Sequence, residues 1–142
     1  MSFEQERKVL FGDCDPAGIL YTPRIANYLV EASLAFLTAR LGAPVERTMF
    51  DIDVSLPARA LKMDFLRSMT WDDIVRVGVD VAELRSRSFT LAIHGRNEND
   101  ESAFEGQLTM VCISTKTRKA VSIPDRLRSV LQQDQGAFGK VN

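Results

Sequence analysis

Several things are scarce in this chain, and each scarcity excludes something. No apolar run approaches the ~18 residues of a membrane-crossing helix. Cysteine occurs twice, as Cys14 and Cys112, which is no disulfide framework, so a reducing compartment is expected. Histidine occurs once, as His94, and with two isolated cysteines it makes no zinc ligand set; no metal is expected. Neither sign of charge dominates: 18 basic against 19 acidic residues leave −1, which argues against nucleic acid as the main partner. The start, MSFEQERKVLF, carries charges where a leader peptide needs its apolar core, so a cytoplasmic protein is expected, with no membrane partner.

What is present is ordinary globular composition, 45% hydrophobic and 26% charged over 142 residues. That length suits one domain, residues 1–142, able to bury roughly 68–70% of its unfolded surface. Phe3 to Phe11 reads as a strand and residues 23–40 as one helix, about 27 Å long. Ile25, Tyr28, Leu29, Ala32, Phe36 and Ala39 recur at three- and four-residue steps, and Gly42 followed by Pro44 stops the helix. Leu34 and Leu37 widen the apolar stripe, which predicts a helix buried on much of its circumference. From residue 52 the period becomes two, predicting strands near 53–67, 72–84, 86–97 and 103–116. Ser122-Ile123-Pro124-Asp125 opens a short helix, Pro124 to Gln132, with a loose tail from about residue 133. The order is that of an α+β protein, an antiparallel sheet with its helices on one face.

The densest chemistry lies in FGDCDPAGILYT, residues 11–22. Asp13 and Asp15 flank a cysteine, Pro16 and Gly18 turn the chain, and Thr22-Pro23 suits a helix cap and first helical position. The first amides of a helix point outward, unpaired and partly positive. Asp15 is readable as a turn aspartate capping its own backbone. It is equally readable as a carboxylate that attacks a reactive carbonyl, or that activates a water to do so. A thioester suits so weak a nucleophile because its thiolate leaves readily. The Thr22 N–H would then serve as oxyanion donor, whereas Pro23 has none to offer.

Other readings of the pattern fail. A calcium loop starting at Asp13 needs a bidentate acid where this chain has Arg24. A phosphatase of the haloacid-dehalogenase type needs an α/β scaffold, not one long helix followed by strands in series. Arg85-Ser86-Arg87-Ser88 reads either as a charged turn or, if the substrate carries phosphates, as a grip for them, with Lys119 adding charge. His94 lacks an evident acidic partner and reads as structural. Cys14, between two acids, is a poor nucleophile. Asp72-Asp73 reads as a turn, and Glu31 as a solvated helical acid or a group near substrate.

FGDCDPAGILYTPRIANYL resembles the opening motif of the hotdog-fold acyl-CoA thioesterases, in particular the 4-hydroxybenzoyl-CoA thioesterase family. SMTWDDIVRV is similar to that family's turn into its third strand, RSRSF to a phosphate-contacting stretch, and VSIPDRLRSVL to its closing helix. The resemblance implies a five-stranded antiparallel sheet wrapped around the long helix, and a homodimer or homotetramer. It implies hydrolysis of an acyl-CoA without a cofactor, coenzyme A being part of the substrate. Asp15 would be the catalytic carboxylate and the Thr22 amide would polarise the carbonyl, with Tyr21 beside it on the substrate side. Arg85, Arg87, Ser88 and Lys119 would hold the coenzyme A phosphates across a subunit interface. The chain departs from its relatives at Tyr21-Thr22, and at Val30, where some carry an acid that is here displaced to Glu31. Leu29, Phe36, Met63 and Phe65 are the expected walls of an apolar acyl pocket. The alternatives are a thioesterase acting on carrier-protein substrates and a non-catalytic acyl-CoA binder.

Overall fold

The computed structural model describes residues 2–141, with residues 136–141 given by their backbone alone. Five strands form one antiparallel sheet: β1 (Phe3–Lys8), β3 (Ala58–Phe65), β4 (Ile74–Leu84), β5 (Ser88–Arg96) and β6 (Ser102–Val111). Their order across the sheet is β1-β4-β5-β6-β3. The long helix α1 (Thr22–Leu41) lies across one face of this sheet, which is the hotdog arrangement the resemblance implies.

The inward face is made by alternation. Val75, Val77, Val79 and Val81 of β4, with Phe89, Leu91 and Ile93 of β5, point toward α1 and are buried. They meet Ile25, Tyr28, Leu29, Ala32, Phe36 and Leu37, so most of the predicted helix face is core. Ala39 is the exception and is exposed, although Leu41 in the same last turn is buried. The helix approaches most closely at Gly106 of β6, where a Cβ would run into the Leu29 side chain and the Lys62 carbonyl. Leu29 and Phe36 are therefore completely buried core residues and cannot also wall an open acyl pocket.

Helix α1 ends at Gly42, in the left-handed conformation, as expected. Its start differs by one residue. Tyr21 is the cap and Thr22 the first helical residue, because the Arg24 N–H closes the first turn on the Tyr21 carbonyl at 2.8 Å.

Four small elements were not expected: a 3₁₀ turn (Phe11–Asp13) that follows a first strand ending at Lys8 and not at Phe11, helix α2 (Val45–Phe50), and the two-residue pair β2 (Val54–Ser55) with β7 (Ile113–Ser114). The last two split the anticipated 53–67 and 103–116 strands. The closing helix, α3 (Asp125–Val141), starts where its capping pattern lies and continues beyond Gln132, where loose chain was expected. It buries Leu127 and Leu131 and packs on β4. No helix among the described residues is long and apolar enough to cross a membrane.

Candidate active site

Residues 13–21 form a miniature hairpin ahead of α1. The Tyr21 N–H donates to the Asp13 carbonyl and the Asp15 N–H to the Ile19 carbonyl, both at 2.9 Å, with a Cys14–Leu20 bridge between them. Gly18 turns the hairpin at φ 80°, and Trp71 lies directly beneath it. The far strand is tied to the β3–β4 turn by the Leu20 N–H on the Met69 carbonyl, at 2.7 Å, and by the Thr70 hydroxyl on the Gly18 carbonyl, also at 2.7 Å.

The two acids of the motif have opposite surroundings. Asp13 is 5% exposed and accepts from the Tyr28 hydroxyl at 2.6 Å and the Leu10 N–H at 3.1 Å. Arg7 and Arg24 stand 3.7 and 3.6 Å from its oxygens. Burial pushes its pKa up, but the Tyr28 and Leu10 hydrogen bonds and the two guanidiniums outweigh burial and hold it below the ordinary value. Asp15 is half-buried and in no ion pair among the described residues. One of its oxygens accepts from the Ala17 N–H at 2.9 Å and the Ile19 N–H at 3.4 Å, so it does cap its own turn. Its second oxygen has no partner among the described residues.

Thr22 contributes the complementary group. Of the first three helical residues, Pro23 has no N–H and Arg24 bonds Tyr21, which leaves the Thr22 N–H without a partner among the described residues. The Thr22 hydroxyl does not cap the helix. Beside Thr22 opens a cavity of about 240 Å³, walled by Ile19, Leu20, Ile25, Phe65, Met69 and Phe104. Of the expected pocket residues only Phe65 reaches it. Tyr21, next in the chain to Thr22, is exposed.

Arg85, Arg87, Ser88 and Lys119 are together, but not here. They gather at the β4–β5 turn, where the Cys112 N–H bonds the Arg87 carbonyl and the Ser114 N–H bonds that of Lys119. Arg85 pairs with Glu83 and reaches the hydroxyls of Ser88 at 3.5 Å and Thr90 at 3.3 Å. Ser88 is 4% exposed, whereas the side chains of Arg87 and Lys119 are exposed and unpartnered among the described residues. The motif hairpin lies at the opposite end of β4, beside Ile74. Eleven residues at ~3.3 Å each separate the two groups by roughly 30 Å within one subunit.

The remaining candidates behave as ordinary structure. His94 lies over Gly78 on the sheet face away from α1, opposite Glu105 and with no hydrogen bond among the described residues. The Cys14 thiol is pushed up by burial and by its acidic neighbours. Asp72 turns the chain at φ 70° and Asp73 accepts the Thr70 N–H. Glu31 is exposed and pairs with Arg7 at 3.4 Å. What the sequence reading missed was the set around Asp13. Its members, Arg7, Arg24 and Tyr28, were visible only as a strand residue, a helix residue and a core aromatic.

A carboxylate with a free oxygen, a few residues ahead of an unpaired helix-mouth amide whose residue, Thr22, borders a largely apolar cavity, suits acyl compounds with a good leaving group. On this sheet-and-helix frame that is the description of a thioesterase. The chain belongs to the thioesterase-like superfamily, whose pattern matches residues 9–131. It is 27% identical over 129 residues to a 1,4-dihydroxy-2-naphthoyl-CoA hydrolase of Thermosynechococcus vestitus, covering 91% of this chain and 88% of that one. It is 25% identical over 131 residues to a 4-hydroxybenzoyl-CoA thioesterase of a Pseudomonas species, covering 91% and 90%. The fold matches that of a DHNA-CoA thioesterase from Staphylococcus aureus with a TM-score of 0.90 at 18% identity, over 99% of this chain and 95% of that one.

Proposed function

We propose that this protein hydrolyses an acyl-CoA thioester to the free acid and coenzyme A in the cytoplasm, with Asp15 as nucleophile or general base. What supports the reading is a free Asp15 oxygen on the braced hairpin together with an unpaired Thr22 N–H at the start of the helix into which that hairpin runs. The thioester carbonyl lodges between them with its oxygen toward Thr22. Either the carboxylate attacks the carbonyl carbon, the thiolate leaves and water cleaves the resulting anhydride, or the carboxylate takes a proton from the attacking water. The developing oxyanion is held by the Thr22 amide. Neither route draws on a metal or redox cofactor.

The acyl group is aromatic in this reading, supported by the substrates named for the two relatives and by the apolar cavity walls. The phosphate grip comes from a second subunit. Strand β3 is an open, mostly exposed edge that begins at the Arg87–Lys119 end of the sheet and ends at the motif end. Antiparallel pairing of two β3 strands about a two-fold axis brings each subunit's Arg85, Arg87 and Lys119 toward the other's Asp15 and Thr22. The assembly is a dimer of this kind, or a tetramer built from two.

The test is thiol release from a panel of aromatic and aliphatic acyl-CoAs by the full chain and by Asp15→Asn. Turnover of the preferred substrate should fall about 10²–10⁴-fold, with coenzyme A binding retained. Equal rates would eliminate the mechanism. Binding without turnover by the unaltered protein would make it a non-catalytic acyl-CoA binder, and preference for a carrier-tethered acyl chain would change the substrate.

A further inference from the structure

The miniature hairpin holds its own two strands together, but nothing within it fixes its angle to α1. That task falls to the Asp13 carboxylate. It receives the Tyr28 hydroxyl at 2.6 Å from the inward face of α1 and the Leu10 N–H at 3.1 Å from the chain entering the hairpin. Arg7 of β1 and Arg24 of α1 stand on its other sides. Tyr28 is itself fixed: it is 1% exposed, with the Arg7 guanidinium over its ring at 4.5 Å. Asp13, two residues ahead of Asp15, then holds through its carbonyl the Tyr21 N–H at 2.9 Å, one residue before the Thr22 amide. One buried carboxylate thus links sheet, helix and both proposed reacting groups.

We infer that Asp13 and Tyr28 are a positioning pair, setting the placement of the Asp15 carboxylate against the Thr22 amide without touching substrate. This rests on the proposed thioester hydrolysis. The physical reason is that a displacement of about 1 Å between reacting groups costs on the order of a hundredfold in rate. The ties to the β3–β4 turn brace the hairpin tip, whereas its side-chain link to α1 runs through the Asp13 carboxylate. A charge-assisted bond from a rigid core tyrosine limits displacement of the hairpin against α1.

The test uses Tyr28→Phe, which keeps the buried ring and removes only the hydroxyl. With an aromatic acyl-CoA, kcat should fall about 10- to 100-fold while KM stays within about twofold. Hydrogen exchange at the Tyr21 and Ile19 amides should quicken in the same variant. Asp13→Asn, which still offers Tyr28 an acceptor oxygen, should retain more turnover than Asp13→Ala. A Tyr28→Phe enzyme that melts earlier yet turns over at the unaltered rate would reduce the pair to ordinary core structure, with the thioesterase reading intact. If the unaltered chain hydrolyses no acyl-CoA, the functional reading falls first. Amide exchange then decides the positioning claim by itself: faster exchange upholds it, and unchanged exchange overturns it.

Discussion

The two ends of the sheet are built to different standards. At the motif end a nine-residue hairpin is braced from β1, from α1 and from the β3–β4 turn, and its key carboxylate is buried among four partners. At the other end, the side chains of Arg87 and Lys119 stand exposed on turns, and of the three cations Arg85 is the one held, by Glu83 and the hydroxyls of Ser88 and Thr90. The contrast follows from what each end is proposed to do. Bond making depends on tenths of an ångström, so its groups sit on a frame that over-determines them. Attraction for a phosphate falls off slowly with distance and is shared among cations, so flexible side chains suffice. Conformational freedom is thus distributed along β4 according to the chemistry at each end.

The sharpest way to break this contrast is to remove one atom group from the rigid end. Thr22→Pro deletes the backbone N–H at the first helical position, which tolerates proline. Tyr21 already has φ −66° and ψ 127°, the extended conformation that precedes proline comfortably. The fold should therefore survive with its melting temperature little changed. Turnover should drop about 10²–10³-fold, the worth of one oxyanion donor. Thr22→Ala, which loses only a hydroxyl that makes no cap, should stay near the starting rate. Equal rates for the two variants would remove the amide from the chemistry.

The same contrast marks what could be read from the chain in advance. Helix α1 was legible because Ile25 through Phe36 repeat at helical spacing, and the long strands because β4 and β5 alternate. Asp15 and Thr22 were legible because turn residues, cap and proline are neighbours in sequence. Helix α2 was not, since six residues after Pro44 are too few to show a period. The Asp13 anchor was not legible either, because Tyr28 lies fifteen residues away and Arg7 is on another element. Grouping Arg85 and Lys119 was a sound inference from charge. That they lie a strand's length from Asp15 is a property of antiparallel topology, which local composition does not encode.

An intermediate effect comes from titrating the rigid end. Asp13 has a lowered pKa when folded, so its ionised form stabilises the protein at pH values above the ordinary carboxylate range. That contribution is lost as pH falls through the folded value. The groups facing it are Arg7 and Arg24, which stay charged, and Tyr28, whose hydroxyl burial and Asp13 keep protonated. Glu31 lies on the far side of Arg7, 3.4 Å from its guanidinium. Denaturant stability should therefore decline progressively as pH falls below about 5, and Asp13→Asn should flatten that decline while lowering stability at neutral pH. An Asp13→Asn curve parallel to the unaltered one would mean that the buried carboxylate does not drive the acid response.

The smallest change belongs to the loose end. Arg87→Ala removes an exposed guanidinium with no partner among the described residues, so nothing in the fold should weaken. Its proposed contact is a substrate phosphate, equally present before and during bond breaking, so KM should rise and kcat should not. The rise should be about fivefold, the scale of one exposed ion pair, and it should shrink as salt is added. Lys119→Ala should behave alike. Arg85→Ala should do less, because Glu83 already neutralises that guanidinium. A substrate lacking the nucleotide portion of coenzyme A should abolish all three differences. If Arg87→Ala leaves KM unchanged at low salt, the cations at this end serve some other contact, and the subunit-spanning site loses its support.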